Sequence, residues 1–410
     1  MSPVDSSAFE RDLDAFVAPF VGTVFPSMAL AVFHRGDCIL NRAWGFNDPD
    51  GRMMPTTVDT RFDFASLTKL FTTTAVLSLI DEGRLRLDTR LIDVIPEFGA
   101  QSPRPISGGQ DPHTRIHLPT PPERSAETVD PAAVTIFHLL THTSGLPPWS
   151  AVFEAAGAIP LPPDQVDPVP RAERWNRAIA AICGLAFVGQ PGEAVRYSDM
   201  GFMLLGETLR RLGGVSAADD GLFAPILRQR VFEPLQLATI GYLPMRAGIR
   251  RDQIAPTEYD SMWRQRRVWG EVHDENACGA GGISSHAGLF GTALDVARFG
   301  QAWLRGTVPG LSAALVADAV REHTETGGER RGLGWMIRSR VGSSAGQYFS
   351  DDAYGHTGFV GNSLWIDPEQ QLVVACMSNR VYYGRANDGI IAFRKALHDG
   401  LWQRLCGGSA

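Results

Sequence analysis

The chain is predicted to have an α+β fold, in which an antiparallel sheet flanked by helices is joined to a second, mostly helical domain. Residues 28–33 and 38–44 are typical of two strands, and the glycine-containing turn between them favours a hairpin. Strand patterns return at 355–367 and 372–378, whereas 134–288 carries mainly helical spacing. Strands at both ends of the chain predict a sheet whose members come from distant sequence, with the functional crevice where the helical region meets it.

The remaining elements follow from local patterns. Residues 66–82 repeat apolar side chains at helical spacing, and Gly83 is a natural C-terminal cap. Proline and aspartate within 85–98 indicate that the helices in this segment are short. Further helices are predicted at 7–20, 135–140, 171–183, 202–212, 224–232 and 388–405, and a further strand at 332–338.

The domain prediction combines the two ends of the chain. Residues 1–95 and 289–410 are expected to form a discontinuous α/β sheet domain, and 96–288 the mostly helical domain. Within the latter, 99–132 is rich in proline, glycine, serine and charge and lacks a hydrophobic period, which is typical of an irregular surface insertion. A length of 410 residues suffices for one large domain or two closely packed ones.

Composition excludes several classes of partner. The net charge is −7 and no basic run is present, which argues against nucleic acid or an anionic membrane and favours a small neutral or polar molecule. No apolar stretch is long enough for a membrane span, and acidic residues such as Asp5 and Glu10 argue against a signal peptide. The five scattered cysteines favour free thiols over disulfides. We therefore expect a cytoplasmic protein.

Lysine is rare in this chain. Lys69 and Lys395 stand against thirty-six arginines, and Lys69 follows Ser66 by three residues, so that the two side chains share one face at the start of the predicted helix. An ammonium, unlike a guanidinium, can lose its proton and act as a base beside a hydroxyl nucleophile. The free N–H groups of a helix start favour negative charge developing near Ser66. The two residues are therefore candidates for catalysis, although a Ser-x-x-Lys pair alone is not specific.

Two further motifs accompany this pair. Tyr197-Ser198-Asp199 opens a predicted helix, and His356-Thr357-Gly358 begins a predicted C-terminal strand. In this order the three motifs resemble those of the serine β-lactamase-related superfamily, which includes class C β-lactamases, related DD-peptidases and family VIII carboxylesterases. The resemblance spans roughly residues 20–400 and also includes the segments 138–146, 332–335 and 355–361.

The resemblance implies a β-lactamase/transpeptidase-like fold and serine-based acyl transfer. Ser66 matches the nucleophile that forms an acyl-enzyme, and Lys69 matches the partner that activates it. Tyr197 matches the residue that moves protons between nucleophile, leaving group and hydrolytic water.

The third motif completes the implied site. His356 is the fourth candidate catalytic residue, and Thr357, Gly358 and Phe359 are candidates for substrate binding. The backbone N–H groups of Ser66 and Phe359 match the two donors of the oxyanion hole. Losing one such donor costs about 3 to 4 kcal/mol of transition-state stabilisation in studied enzymes.

The chain departs from the family pattern at two positions. Asp199, a further candidate for substrate binding, replaces the usual Asn, and an ionised carboxylate there would raise the pKa of Lys69 and shift part of the base role to Tyr197. A helix N-cap is its alternative role. His356 replaces a lysine, so that a permanent positive charge for a substrate carboxylate is missing. With an ordinary pKa near 6.5, this histidine is expected to become charged only toward pH 6.

Other histidines invite a metal hypothesis, which we reject at this stage. His273, Asp274 and His286 lie close together in sequence, but neighbouring residues point in different directions and a His-x-x-x-His spacing is absent. We expect no metal and no cofactor, and interpret His142, His273 and His286 as structural or cleft-lining residues.

The sequence thus predicts a serine hydrolase that acts through an acyl-enzyme, with short-chain carboxylic esters as its substrates. A β-lactamase or a D-amino-acid-specific peptidase or amidase remains an alternative with the same machinery. A catalytically idle binding or scaffolding protein is the alternative outside enzymology. The natural substrate depends on cleft loops, and neither it nor the oligomeric state follows from the motifs.

Overall fold

The computed structural model describes residues 6–407 except 113 and 217. The first five residues of the acidic N-terminal segment, and residue 113 of the predicted insertion, lie outside this part. The described strands are β1 (Ser27–His34), β2 (Asp37–Gly45), β3 (Phe62–Asp63), β4 (Arg104–Pro105), β5 (Thr128–Val129), β6 (Gly241–Tyr242), β7 (Tyr259–Asp260), β8 (Arg266–Arg267), β9 (Leu289–Gly291), β10 (Thr324–Thr326), β11 (Glu329–Arg331), β12 (Met336–Ile337), β13 (Tyr354–Thr357), β14 (Ser363–Asp367) and β15 (Leu372–Ser378).

The predicted helices occur in the predicted order, whereas four others were not predicted: Val152–Ala156, Glu275–Gly279, Ala293–Leu304 and Ala313–Val320. Between the strands at the two ends of the chain lie mainly helices and irregular segments, as expected for the helical middle. The described α-helices are α1 (Ser6–Val17), α2 (Thr68–Asp81), α3 (Leu91–Val94), α4 (Ile136–Leu140), α5 (Val152–Ala156), α6 (Arg171–Cys183), α7 (Asp199–Leu212), α8 (Ala224–Leu227), α9 (Glu275–Gly279), α10 (Ala293–Leu304), α11 (Ala313–Val320) and α12 (Gly389–Leu405).

One large antiparallel sheet forms the framework. Its order in the described part of the chain is β10-β11-β12-β13-β14-β15-β1-β2. Strand β1 joins the N-terminal hairpin to the C-terminal strands, with Met28 opposite Ser378 and His34 opposite Leu372. The predicted sheet of distant segments is thereby confirmed.

Helices cover both faces of this sheet because successive side chains of a strand point to opposite sides. Ala29 and Ala31 of β1 pack into the core that contains α2 and α10. Leu30 and Val32 pack into the core that contains α1 and α12. The sheet therefore lies between two helical layers.

The predicted strand at 332–338 is wrong over its first half. Strand β11 ends at Arg331, β12 consists of Met336–Ile337, and a loop joins them. Gly334 in this loop has a φ of 74°, and a Cβ there would lie only 2.0 Å from Thr73 Oγ1 on α2. The loop approaches the helix closely, and glycine permits both the approach and the backbone conformation.

The segment 99–132 is largely irregular, apart from the short pair β4 and β5 and short 3₁₀ turns such as Pro122–Arg124. Its anchor is Arg104, whose guanidinium lies 4.2 Å from the ring centre of Phe98 and 4.4 Å from that of Phe187. The same group donates hydrogen bonds to the carbonyls of Cys183 and Leu185. A buried arginine thus ties the segment to the helical region.

No helix in the described part of the chain combines the length and apolar character needed to cross a bilayer.

Candidate active site

Ser66 lies in a 3₁₀ turn, Ala65–Leu67, that leads directly into α2. The Asp63 carboxylate accepts the N–H of Ala65 at 2.7 Å and the N–H of His273 at 2.6 Å. Ala65 has a φ of 45°, in the left-handed region that residues with a Cβ rarely adopt. Burial raises the pKa of Asp63 to about 6, which leaves it mainly ionised at neutral pH. Asp63 therefore holds the strained turn that presents Ser66.

Lys69 connects the predicted nucleophile to Asp199. Its ammonium donates to Ser66 Oγ at 3.0 Å and to the His286 carbonyl at 3.1 Å. Asp199 Oδ1 lies 2.7 Å from the same ammonium, and the lysine side chain is fully buried. The structure therefore brings Ser66, Lys69 and Asp199 into one hydrogen-bonded and ion-paired group.

Asp199 determines the protonation of this group. Burial alone lowers the pKa of Lys69 because it penalises the charged form, but the Asp199 carboxylate and Tyr197 outweigh burial and raise the pKa above its ordinary value. The expected effect of Asp199 on the lysine is thus present. Asp199 is not the N-cap, however, because Ser198 Oγ accepts the N–H of Gly201 at the start of α7.

We expect Asp199→Asn to move the acid limb of the pH–rate profile to lower pH. Removing the carboxylate leaves burial as the main influence on Lys69, so its pKa falls and the free amine forms at lower pH. The measurement is kcat/KM against pH for the variant and the wild type.

Asp167→Asn is the matched control for this prediction. Asp167 pairs with the buried Arg174 at 3.0 Å, as Asp199 pairs with Lys69, and the substitution should leave the acid limb where it is. An unchanged acid limb in Asp199→Asn would assign the base role to Tyr197 instead of Lys69.

Tyr197 packs against a histidine whose ring is tilted by 38° from its own. Its ring centroid lies 4.5 Å from that of His142, whose Nδ1 accepts the N–H of Ser198 at 3.0 Å. Burial and the charges of Arg331 and Lys69 lower the pKa of His142 well below its ordinary value, so the imidazole is neutral. Burial also raises the pKa of Tyr197, and the Lys69 ammonium offsets this only in part. Tyr197 is therefore a phenol in the resting site.

His356 lies on β13 beside Tyr197, with 5.8 Å between the ring centroids. Burial, Lys69 and Arg331 together lower the pKa of this histidine well below its ordinary value. The expectation that His356 becomes charged toward pH 6 is therefore wrong. Sequence reasoning used the pKa of an exposed histidine, whereas this imidazole is buried near two cations.

The turn after β13 brings Phe359 close to the nucleophile. A Cβ on Gly358 would lie 2.7 Å from the Phe64 carbonyl oxygen and 3.5 Å from Ala65 Cβ, so glycine is needed for this approach. The main chain that carries the Phe359 N–H thus passes beside the residues that precede Ser66. Phe359 is 36% exposed, and its ring centroid lies 5.7 Å from that of His273.

Asp274 and His286 form a hydrogen-bonded pair in the site, with 2.8 Å between Asp274 Oδ1 and His286 Nε2. Their ligand atoms and one from Asp199 all lie within 4.8 Å of one another, a spacing that a metal ion could bridge. The carboxylate of Asp199 is engaged by Lys69, whose ammonium already supplies a positive charge there. Asp274 Oδ1 also accepts the N–H of Ala277. That the site works without a metal ion therefore stays a prediction.

The segment 99–132 reaches the rim of this site through Arg115. Its Nη2 atom lies 3.1 Å from Glu275 Oε1, and Arg385 Nη2 lies 2.6 Å from the same oxygen. Arg385 also pairs with Glu258. The rim is therefore a network of balanced charges next to Asp274.

Sequence reasoning missed several groups that the fold brings to the site. Arg331 is buried, and its guanidinium carbon lies 5.4 Å from the centre of the Tyr197 ring. Nothing in the sequence distinguishes it from the other arginines. Asp63 offered a signal, since it is an acid in the otherwise apolar run before the Ser-x-x-Lys motif.

A family model described as Beta-lactamase matches residues 13–397. A protein of Escherichia coli (strain K12), named "Putative D-alanyl-D-alanine carboxypeptidase", is 27% identical over 394 residues, covering 90% of this chain and 82% of that protein. EstCE1, described as a hydrolase with promiscuous acyltransferase activity, has a TM-score of 0.69 at 18% identity and covers 97% of this chain and 100% of its own. The octameric penicillin-binding protein homologue from Pyrococcus abyssi has a TM-score of 0.66 at 22% identity, covering 97% of this chain and 78% of its own.

The two solved structures share the fold, and the family model spans most of the chain. The β-lactamase/transpeptidase-like fold expected from the three motifs is thereby confirmed. This protein belongs to the Beta-lactamase family and is a serine hydrolase.

Proposed function

We propose that the protein hydrolyses short-chain carboxylic esters through an acyl-enzyme on Ser66. The observation that carries the proposal is the contact of Ser66 Oγ with the buried Lys69 ammonium, beside Tyr197. A serine hydroxyl is a poor nucleophile until a neighbouring base takes its proton. The presence of all three groups in one place argues against a catalytically idle binding protein.

In the proposed reaction, the reactive form is the one in which the Lys69–Tyr197 pair has already released one proton to solvent. Ser66 Oγ then attacks the ester carbonyl carbon, and its proton passes to this pair. The backbone N–H groups of Ser66 and Phe359 stabilise the oxyanion of the tetrahedral intermediate. The pair then gives the proton to the alkoxide, which leaves as an alcohol. Water attacks the acyl-enzyme in a second cycle of the same transfers, and the carboxylic acid leaves.

The preference for uncharged esters rests on His356. A lysine at the start of the third motif would offer a substrate carboxylate a charge at every physiological pH, whereas this imidazole is neutral. Arg331 lies nearby, but its Nε and Nη1 atoms have no exposed surface, and its Nη2 is engaged by Glu329. Substrates without a carboxylate fit such a site better than cephalosporins or peptide C-termini.

A D-alanyl-D-alanine carboxypeptidase is the second candidate. The observation that favours it is the name of the Escherichia coli relative, to which the chain is 27% identical. Such a substrate ends in a carboxylate. In this case the carboxylate would have to bind Arg115 or Arg385 on the rim.

We expect p-nitrophenyl acetate or butyrate to have a higher kcat/KM at pH 7.5 than a chromogenic cephalosporin or a D-Ala-D-Ala peptide. Because His356 stays neutral, turnover of the cephalosporin should not improve as pH falls toward 6. His356→Lys should reduce the difference in kcat/KM between the esters and the two carboxylate-bearing substrates by raising activity on the latter. His356→Gln, the neutral control, should not. If the cephalosporin or the peptide is hydrolysed faster than the esters, the esterase proposal is wrong. The β-lactamase or the peptidase alternative then takes its place.

A further inference from the structure

The turn after β13 is held from behind by a buried arginine. Arg394 lies on α12 and is only 7% exposed. Its Nη2 atom donates to the carbonyl of Gly358 at 3.0 Å and also to the carbonyl of Asn362. The N–H of Gly361 donates to the same Gly358 oxygen at 3.1 Å, and the Gly358 N–H donates to the Asn362 carbonyl. Both carbonyls at the ends of the turn are thus bound by one guanidinium.

The guanidinium has an unusual electrostatic setting. Among the residues that the structure describes, no carboxylate lies within 4 Å of Arg394, and burial lowers its pKa to about 10. The group is still charged at neutral pH. A buried cation without an acid partner lowers the stability of the folded state. We therefore expect the positive charge of Arg394 to be compensated by a negative charge that forms nearby.

The negative charge that can compensate this cation is the oxyanion of the tetrahedral intermediate. The Gly358 carbonyl and the Phe359 N–H belong to one planar peptide unit, whose two ends are coupled by resonance. A cation bound to the carbonyl oxygen draws electron density through the unit and makes the N–H a stronger donor, as hydrogen bonds in a chain polarise one another. It also fixes the plane of the peptide and hence the direction of the N–H.

We propose that Arg394 is a positioning residue that polarises the Gly358–Phe359 peptide and so strengthens one donor of the oxyanion hole. This rests on the proposed function, because it takes the Phe359 N–H as an oxyanion donor. Asn362 supports the same arrangement, since its Nδ2 donates to the Asp63 carbonyl and its Oδ1 accepts the Ser378 N–H. The turn is thereby tied to the nucleophile segment and to β15 while Arg394 supplies the charge.

The test is Arg394→Gln, in which a side-chain amide keeps a hydrogen-bond donor but removes the charge. We expect kcat for p-nitrophenyl acetate to fall about 10- to 100-fold, a part of the effect of losing an oxyanion donor entirely, with KM changed less than about threefold. Affinity for a boronic acid, which forms an anionic tetrahedral adduct with serine, should fall in proportion to kcat. In the acyl-enzyme, the infrared stretching frequency of the acyl carbonyl should rise, since a weaker donor polarises it less.

Arg104→Gln is the matched control. Arg104 is also buried, also donates to two backbone carbonyls, and burial lowers its pKa to about 10 as well, but it lies away from the turn. This variant should lose thermal stability and keep kcat within about twofold. Arg394→Lys, which keeps the charge, should recover part of the kcat lost in Arg394→Gln.

The inference is overturned if Arg394→Gln keeps kcat and the carbonyl frequency of the wild type, or if Arg394→Lys is no better than Arg394→Gln. If Arg394→Gln does not fold, Arg394→Lys is compared with the wild type instead. The stretching frequency of the acyl carbonyl should then move only slightly. Failure of the proposed function would show separately, as esterase turnover that survives Ser66→Ala.

Discussion

Ser66→Ala is expected to lower ester turnover by about a thousandfold or more and to abolish labelling by a fluorophosphonate probe. The alanine removes the oxygen that contacts the Lys69 ammonium at 3.0 Å, and with it the atom that would carry the acyl group. The measurements are kcat/KM for p-nitrophenyl butyrate and mass-spectrometric mapping of the probe adduct. We expect the adduct on the peptide that contains Ser66.

Ser78→Ala is a suitable control for this result. Ser78 lies on the same helix, α2, and its buried hydroxyl donates to the Ala75 carbonyl, remote from the Lys69–Asp199 pair. Labelling and turnover should be retained in this variant. Labelling that persists in Ser66→Ala would exclude Ser66 as the nucleophile.

Lys69→Arg should be nearly as damaging, with a loss of about 10²- to 10⁴-fold in kcat/KM. The substitution keeps a positive charge next to Asp199 but removes the ability to accept a proton, because a guanidinium does not deprotonate in proteins. The side chain is fully buried, so a bulkier group also displaces its neighbours. Rates should be measured up to alkaline pH, where the wild-type amine becomes available and the arginine variant gains nothing.

The chain supplies its own control, since Lys395 is the second of its two lysines. It lies on α12, and Lys395→Arg should leave kcat/KM and the pH profile unchanged. Near-normal rates in Lys69→Arg would show that Lys69 acts only as a positive charge.

The parts of this protein that could be predicted from sequence are those that depend on local periodicity. The hairpin at β1 and β2, the helix that follows Ser66, and the C-terminal helix α12 were each predicted from the spacing of apolar residues within a short segment. Ser66 and Lys69 meet because residues three apart share a helix face. The loop before β12 was predicted wrongly, because its close contact with Thr73 is not a local property, and helices α10 and α11 were not predicted.

The three motifs also indicated which residues share the site, although their contacts were not visible in the sequence. Tyr197 and His356 come together in the folded protein, with 5.8 Å between their rings. Their residue types and order sufficed for the family, because a common mechanism needs the same groups. The roles of individual residues then depended on the surroundings that the fold gives them.

The tertiary structure decided the charges of the site, of which the sequence had indicated only the effect of Asp199 on Lys69. Asp199 raises the pKa of Lys69 because α7 places a carboxylate 2.7 Å from the ammonium, and His356 is neutral because it is buried near Lys69 and Arg331. Arg394 reaches the Gly358 carbonyl from a helix at the far end of the chain. The sequence by itself determined the family, and its motifs predicted Ser66 as the nucleophile with Lys69 as its partner. The protonation states, and the contacts that hold the turn after β13, were decided by burial and by neighbours from other segments, because electrostatic free energies depend on distance in space and on exclusion of water.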